Sequence, residues 1–280
     1  MEKYASLERQ NRHIFSHVIL GLWSLIVLFP LWVMIINSFK DRLSIYQNPF
    51  GLPQKWNIAN YGIVLADGDF LGYFKNSFIV VILSLVILLI TGALAGYALA
   101  YWRGKFSRAV YFFCIAGMML PIKIASIRLL ELVKTLGLLN TVWALIPIYV
   151  AMGIPIAIFV LTEFIRAVPY ELTEAAIIDG TGRLGTFLWI IVPLLRPALA
   201  TVAIYNLVPF WNDLWFPLIF ISDDRAKTVL LGVTRLFGQY QTDWSKVLAV
   251  LTLSAIPVIA LYLTASKQFI KGLTAGAVKG

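Results

Sequence analysis

Long apolar runs separated by short polar stretches set the pattern of this chain. A helix needs about 20 apolar residues to cross the hydrocarbon core of a bilayer. Six stretches reach that length: 14–36, 73–100, 109–131, 142–165, 198–221 and 247–265. The pattern predicts an all-α polytopic membrane protein, with residues 1–280 forming a single transmembrane domain. The first run follows Lys3, Arg9 and Arg12. It is too long for a signal peptide and lacks a small-residue cleavage site, so it reads as an uncleaved helix containing Pro30. The segment Lys40 to Gly72, with Pro49 and Pro53, reads as an ordered loop.

In the second run Ser77, Ser84 and Thr91 recur every seven residues and share a helix face. Gly92 and Gly96 lie beside them at a spacing that lets helix backbones approach closely, so helix packing is favoured over pore lining. The third run reaches Pro121 only about 18 Å after Ala109, so it is expected to continue as one helix through Lys123 and Arg128. On that straight helix Lys123 would lie about 21 Å along, at hydrocarbon depth, and Arg128 near the far interface. Arg128 is expected to pair with Glu131 at i, i+3. Pro30, Pro121, Pro147, Pro155, Pro209, Pro217 and Pro257 lie in or near spans, as bending points or as tolerated prolines.

Composition agrees with the pattern. Of 280 residues, 60% are hydrophobic and only 13% charged, about half the charge of a soluble domain; mean hydropathy is +0.84. The net charge of +9 is spread over loops, which fits lipid head groups better than nucleic acid. The single Cys114 excludes a disulfide framework. No metal-binding HExxH and no phosphate loop are present, so no cofactor and no ATP-hydrolysing site are expected in this chain. Orientation from charge rests on the short loop with Arg103, Lys105 and Arg108, which favours an inside N-terminus.

One polar stretch stands apart. Between the fourth and fifth runs, Pro169 precedes and Gly180 closes a short segment with Glu171 and Glu174 in its first turns. Pro near a helix start, acidic residues in the first turns and Gly beyond the end define a terminated helix. A simple connector needs no such definition.

This stretch, Glu174-Ala175-Ala176-Ile177-Ile178-Asp179-Gly180 followed by Phe187, Ile190 and Pro193, resembles the EAA loop of bacterial ABC importer permeases. Val192-Pro193 departs mildly from the usual Leu-Pro. Asp179-Gly180, the run Trp211-Asn212-Asp213-Leu214-Trp215 and the ending Phe269 to Gly280 are similar to the carbohydrate-uptake, maltose-permease branch. The resemblance covers nearly the whole chain. It implies a six-span subunit in the bacterial inner membrane with both termini cytoplasmic. Residues 169–196 would be a cytoplasmic coupling loop and 267–280 a cytoplasmic tail. Glu174, Ala175, Ala176, Asp179 and Gly180 would couple to a separate ATPase. The implied partners are a second homologous permease, two ATPase subunits that bind ATP and Mg, and a periplasmic or lipid-anchored substrate-binding protein facing the loop Ser222 to Lys246. The cargo would be a sugar, oligosaccharide or glycoside.

For the substrate path the fifth run offers Asn206 and Asp213, seven residues apart on one helix face, with Phe210 between them and Trp211 alongside. Polar groups at membrane depth face a bundle interior or a wet cavity, and aromatic rings suit the apolar faces of a polyol. Interhelical hydrogen bonding remains the alternative, since Asp213 lies about 23 Å along the helix, near the interface. Lys123 raises an anionic sugar derivative or a glycerol phosphate-type substrate as another cargo; snorkelling to the interface is the simpler account. A stand-alone secondary carrier is disfavoured, because such carriers keep acidic groups deep in their spans.

Overall fold

The structure is a computed structural model describing residues 2–66, 68–102, 104–237 and 242–277. Among the described residues the secondary structure is helical, apart from one isolated bridge between Phe237 and Thr242. Two compact units are formed: Met1–Asp67 with Arg235–Leu253, and Gly68–Thr234 with Ser254–Gly280. Arg103 of the basic loop and residues 278–280 of the expected tail lie outside the described residues.

In the first unit, α1 (Glu2–Ser38) runs unbroken through Pro30. From Phe15 to Leu31 its apolar side chains are exposed, as expected of a surface made for lipid or another apolar partner. A buried lysine ties the following loop to the helix end. Lys40 Nζ donates to Asn37 Oδ1 at 2.9 Å and to the Asn48 carbonyl at 2.6 Å. Asn37 Nδ2 donates to the Pro49 carbonyl at 2.7 Å, and the Asn60 amide donates to the carbonyls of Ser38 and Lys40. These bonds fix α2 (Arg42–Gln47) and α3 (Ala59–Ala66) near the end of α1. A buried ammonium is tolerable only with such acceptors, and burial still pulls its pKa below the usual lysine value.

The second unit is organised around α4 (Gly68–Tyr101) and α7 (Leu145–Arg166). A Cβ on Gly92 would come within 2.8 Å of the Ala157 methyl, and one on Gly96 within 3.2 Å of the Thr162 nitrogen. One on Gly153 would fall 2.5 Å from the Leu88 side chain. The facing positions rise together along both helices, so α4 and α7 run parallel. Two adjacent parallel helices require the chain between them to return across the layer. The packing reading of the glycine pair therefore holds. Ser77 is used differently: its hydroxyl accepts from the Val229 N–H at 2.9 Å and so starts α13 (Val229–Val233). Thr91 donates to the Ile87 carbonyl of its own helix.

The return path corrects the expectation of one straight third helix. α5 (Lys105–Gly117) ends after 13 residues and α6 (Ser126–Thr135) follows at 82° to it, with a 3₁₀ turn between them. Pro121 has extended backbone, φ −75° and ψ 91°. It supplies no N–H and turns Leu120 away from the α region. Arg128 pairs with Glu131 at 2.8 Å, as its spacing predicts.

The fifth run is also broken. A π-helical turn (Phe187–Ile191) and α10 (Val192–Leu194) meet α11 (Arg196–Trp211) at 70°. Pro193 and Pro197 remove donors on both sides of this bend. α11 stops at Trp211, before the expected end at 221, and α12 (Trp215–Phe220) begins anew. The last helix, α14 (Trp244–Ala277), does not stop at residue 265 but continues through most of the expected tail.

Replacing Gly92 with Leu should force α4 and α7 apart, at a cost of about 1–3 kcal/mol for overpacking. Thermal unfolding of the purified protein in detergent should show a lowered midpoint. The exposed change Gly104→Ala, with no atom within 4 Å of the new methyl, should leave it unmoved.

Candidate functional site

Two places collect the residues singled out by sequence. The first is α8 (Tyr170–Ile178), which opens at Pro169 with extended backbone. Its end is a Schellman turn. Gly180 has φ +83°, Thr181 N–H donates to the Ala176 carbonyl at 2.9 Å and Gly180 N–H to the Ile177 carbonyl at 3.0 Å. Glycine adopts this left-handed conformation without steric cost. The local signals of Pro169, Glu171 and Gly180 thus act as their chemistry predicts.

The helix has two faces. Thr173 and Ala176 are buried against the rest of the unit. Glu174, Ala175, Ile178, Asp179 and Gly180 are exposed, Ile178 by 84%. Ala176 therefore seats α8 on its own subunit, and only Ala175 of the pair lies on the outer face. Beyond the turn, α9 (Arg183–Thr186) leads into Phe187, which is buried. Its ring lies 5.0 Å from that of Tyr97 near the end of α4. Tyr97 also donates to the Arg183 carbonyl at 3.3 Å. The polar helix-turn is thereby joined directly to the central helix pair.

The second place surrounds the end of α11. Here the spacing argument fails for Asn206 and Asp213. α11 ends before Asp213, so the seven-residue separation does not put both on one helix face. Asn206 is buried and donates to the Val202 carbonyl of its own helix at 2.8 Å. Gly153 leaves room for it, since a Cβ there would lie 2.8 Å from Asn206 Oδ1. Asp213 sits in the break and ties the chain that follows it to α7. Its carboxylate accepts from the N–H groups of Trp215 and Phe216 at 3.2 Å each, starting α12. It also accepts from the Tyr149 hydroxyl at 3.0 Å.

Tyr149 is the residue that sequence reasoning missed. It is 1% exposed and stacks on Phe210, with ring centroids 4.9 Å apart and an 11° interplanar angle. The signal was a phenol within the apolar run 142–165; a buried tyrosine tip requires a partner. Trp211 lies edge-on to Phe78 at 5.0 Å and donates from Nε1 to the Ser254 carbonyl at 3.1 Å. Phe210, Trp211 and Asn206 are thus fully occupied by their own unit in this conformation.

Lys123 is not at depth on a straight helix. It lies exposed in the 3₁₀ turn between α5 and α6, with Nζ 5.7 Å from the centroid of the Trp215 ring. Trp215 Nε1 in turn donates to Ser126 Oγ at 2.9 Å. The two helix breaks, around Pro121 and around Asp213, therefore meet. An exposed lysine, in a turn joined to Trp215 through Ser126, thus replaces the cation expected at depth on a straight helix.

The comparisons bear on the whole chain. Residues 88–273 match the model of the family described as binding-protein-dependent transport system inner membrane component. The chain belongs to that family. It is 33% identical over 278 residues to the diacetylchitobiose uptake system permease protein of Streptomyces coelicolor, covering 98% of this chain and 91% of the relative. It is 34% identical over 262 residues to the trehalose/maltose transport system permease protein of Thermococcus litoralis, covering 92% and 94%. It is 32% identical over 252 residues to the melibiose/raffinose/stachyose import permease protein of Bacillus subtilis, covering 90% and 91%. A chain of the crystal structure of a bacterial ABC transporter that imports alginate superposes with a TM-score of 0.80 at 22% identity, covering 93% of this chain and 97% of that one. That last likeness establishes the shared fold.

Tyr149→Phe should leave the Asp213 carboxylate short of one donor, at a cost of about 1–3 kcal/mol for the lost charge-assisted bond. The expected result is a thermal midpoint below that of the parent, lowered further by the second change Asp213→Asn, whose single acceptor oxygen cannot serve both the Trp215 and Phe216 N–H groups, with the double change costing less than the sum of the two single ones.

Proposed function

We propose that this chain is the membrane-spanning permease subunit of an ABC importer for a sugar, oligosaccharide or glycoside, driven by ATP hydrolysis in separate ATPase subunits. The observation that supports the reading most is the capped α8 with an outward face of Glu174, Ala175, Asp179 and Gly180, in a chain whose full-length relatives carry sugar-transport names. In this reading α8 is the coupling helix, and it docks in a cleft of an ATPase subunit on the cytoplasmic side. Glu174 meets the ATPase, Ala175 permits close approach and Gly180 makes the turn. Ala176 holds the helix to its own subunit. ATP and Mg are bound by the partner ATPases, and this chain contributes no catalytic group. A second permease and a periplasmic or lipid-anchored binding protein complete the complex. Both termini are then cytoplasmic.

No covalent chemistry is asked of the permease. A ligand shifts the balance of outward and inward arrangements through its different affinity for the two. The path residues proposed are those around the Asp213 break: Asp213, Phe210, Trp211 and Asn206. Closed as they are here, they must exchange partners to admit cargo. A sugar hydroxyl can donate to Asp213 in place of Tyr149, and a pyranose face can replace Tyr149 against Phe210. Lys123, held over Trp215, gives no support to an anionic cargo.

Gly180→Val forces a branched side chain into the left-handed region, at about 1–2 kcal/mol or more. Uptake of radiolabelled sugar in cells expressing the whole importer should fall about tenfold, while the amount of permease in the membrane stays unchanged. Undiminished uptake would remove the coupling role of this turn. A phosphatase reporter fused after Ile221 should be active, as expected of an extracytoplasmic loop; a fusion active only as a cytoplasmic reporter would invert the orientation.

A further inference from the structure

A cleft of about 1050 Å³ in the second unit lies away from the Asp213 cluster. It is bordered by the last residues of α4 (Tyr101, Trp102), the start of α5 (Ser107, Arg108, Tyr111) and the end of α7 (Arg166). Three apolar helices therefore reach their polar ends around one opening. That convergence sets the level of the cleft at the boundary between hydrocarbon and head groups, where aromatic residues with polar tips settle.

Its charges are unequal. Glu163 is engaged twice: its Oε1 accepts from the Tyr111 hydroxyl at 2.7 Å and from Arg166 at 2.8 Å. The Arg166 guanidinium also stacks over the Tyr111 ring at 4.7 Å. Arg108 has no side-chain hydrogen bond or ion pair among the described residues, although it is exposed and lines the cleft. An unmatched arginine beside a neutralised pair is a site for one anion. Guanidinium groups match phosphate oxygens by their planar fork of donors. Exposed Phe112 lines the cleft, and exposed Phe106 and Phe113 lie beside it on α5, a surface suited to acyl chains.

We propose that this cleft binds the phosphodiester head group of an anionic phospholipid, with Arg108 as the phosphate ligand and Trp102 and Tyr101 at the glycerol level. The binding site rests on the membrane spans read above. Its assignment to the cytoplasmic leaflet rests on the proposed orientation. An anionic lipid here would brace the junction from which α8 departs, beside Tyr170, and so would link leaflet composition to the coupling helix.

Native mass spectrometry of the importer complex, purified through a tag on this chain and exchanged into detergent with equal phosphatidylglycerol and phosphatidylcholine, tests it. Selective retention of phosphatidylglycerol is expected. Arg108→Gln should reduce it about tenfold, Arg108→Lys should keep most of it, and Lys134→Gln, outside the cleft, should keep all of it. Equal retention of the two lipids, or no loss in Arg108→Gln, would overturn the proposal. Retention abolished by millimolar inorganic phosphate, with phosphate itself bound, would also overturn it in favour of a soluble anion. Sugar uptake by the same variants separates the two readings: intact ATP-driven uptake with unselective lipid retention removes the lipid site and leaves the importer standing.

Discussion

The close approach of α4 and α7 is the constraint on which the rest of the second unit depends. Gly92, Gly96 and Gly153 remove the side chains that would hold the two backbones apart. Without a hydrophobic driving force between helices in lipid, such packing supplies much of the association. The pairing is parallel, so it also dictates topology: whatever joins the two helices must recross the layer. α5 at 13 residues is too short to do so alone, and α6 continues the path at a steep angle.

Each end of this helix pair carries one of the two functional places. Tyr97, next to Gly96, meets Phe187 of the segment that follows α8. Tyr149, one turn before Gly153, holds Phe210 and Asp213. Ser84 is level with Tyr149 by the pairing offset that the glycines set. From Ser84 to Tyr97 is about 20 Å of helix rise at 1.5 Å per residue. A well-packed helix pair of that length transmits displacement as a body, because packed interiors are hardly compressible. The buried hydroxyls of Ser84 and Thr162 find no partner among the described residues. Both lie on this pair, where an unpaired hydroxyl favours any arrangement that supplies an acceptor.

Sequence was most informative where local chemistry dictates conformation. Pro169, Glu171 and Gly180 specify the start and stop of α8 because fixed φ, dipole preference and the left-handed turn are properties of those residues themselves. The four apolar runs that form single helices of crossing length were readable for the same reason, since crossing length is a matter of composition. Breaks within runs were not. The helices pass through Pro30, Pro155, Pro209 and Pro257, yet stop before Pro121. Proline removes one donor in every case; whether the helix ends depends on what else satisfies the freed carbonyl. Around Asp213 the answer is a carboxylate that caps the next helix and a tyrosine 64 positions earlier. Only the fold brings that tyrosine into place.

The break at Asp213 also explains what a polar residue does there. A continuous helix needs no side-chain acceptor, whereas α12 begins with N–H groups that must be satisfied. Asp213 satisfies two of them and a phenol at once. Loss of the Tyr149 bond alone leaves the caps intact, so the helix start can persist while the phenol moves aside. The contact between Tyr149 and Asp213 is thus separable from the local fold, as the exchange of partners proposed for the cargo path requires. Hydroxyl-rich cargo is the ligand class that replaces such a donor at least cost, because it brings its own O–H to the same carboxylate oxygen.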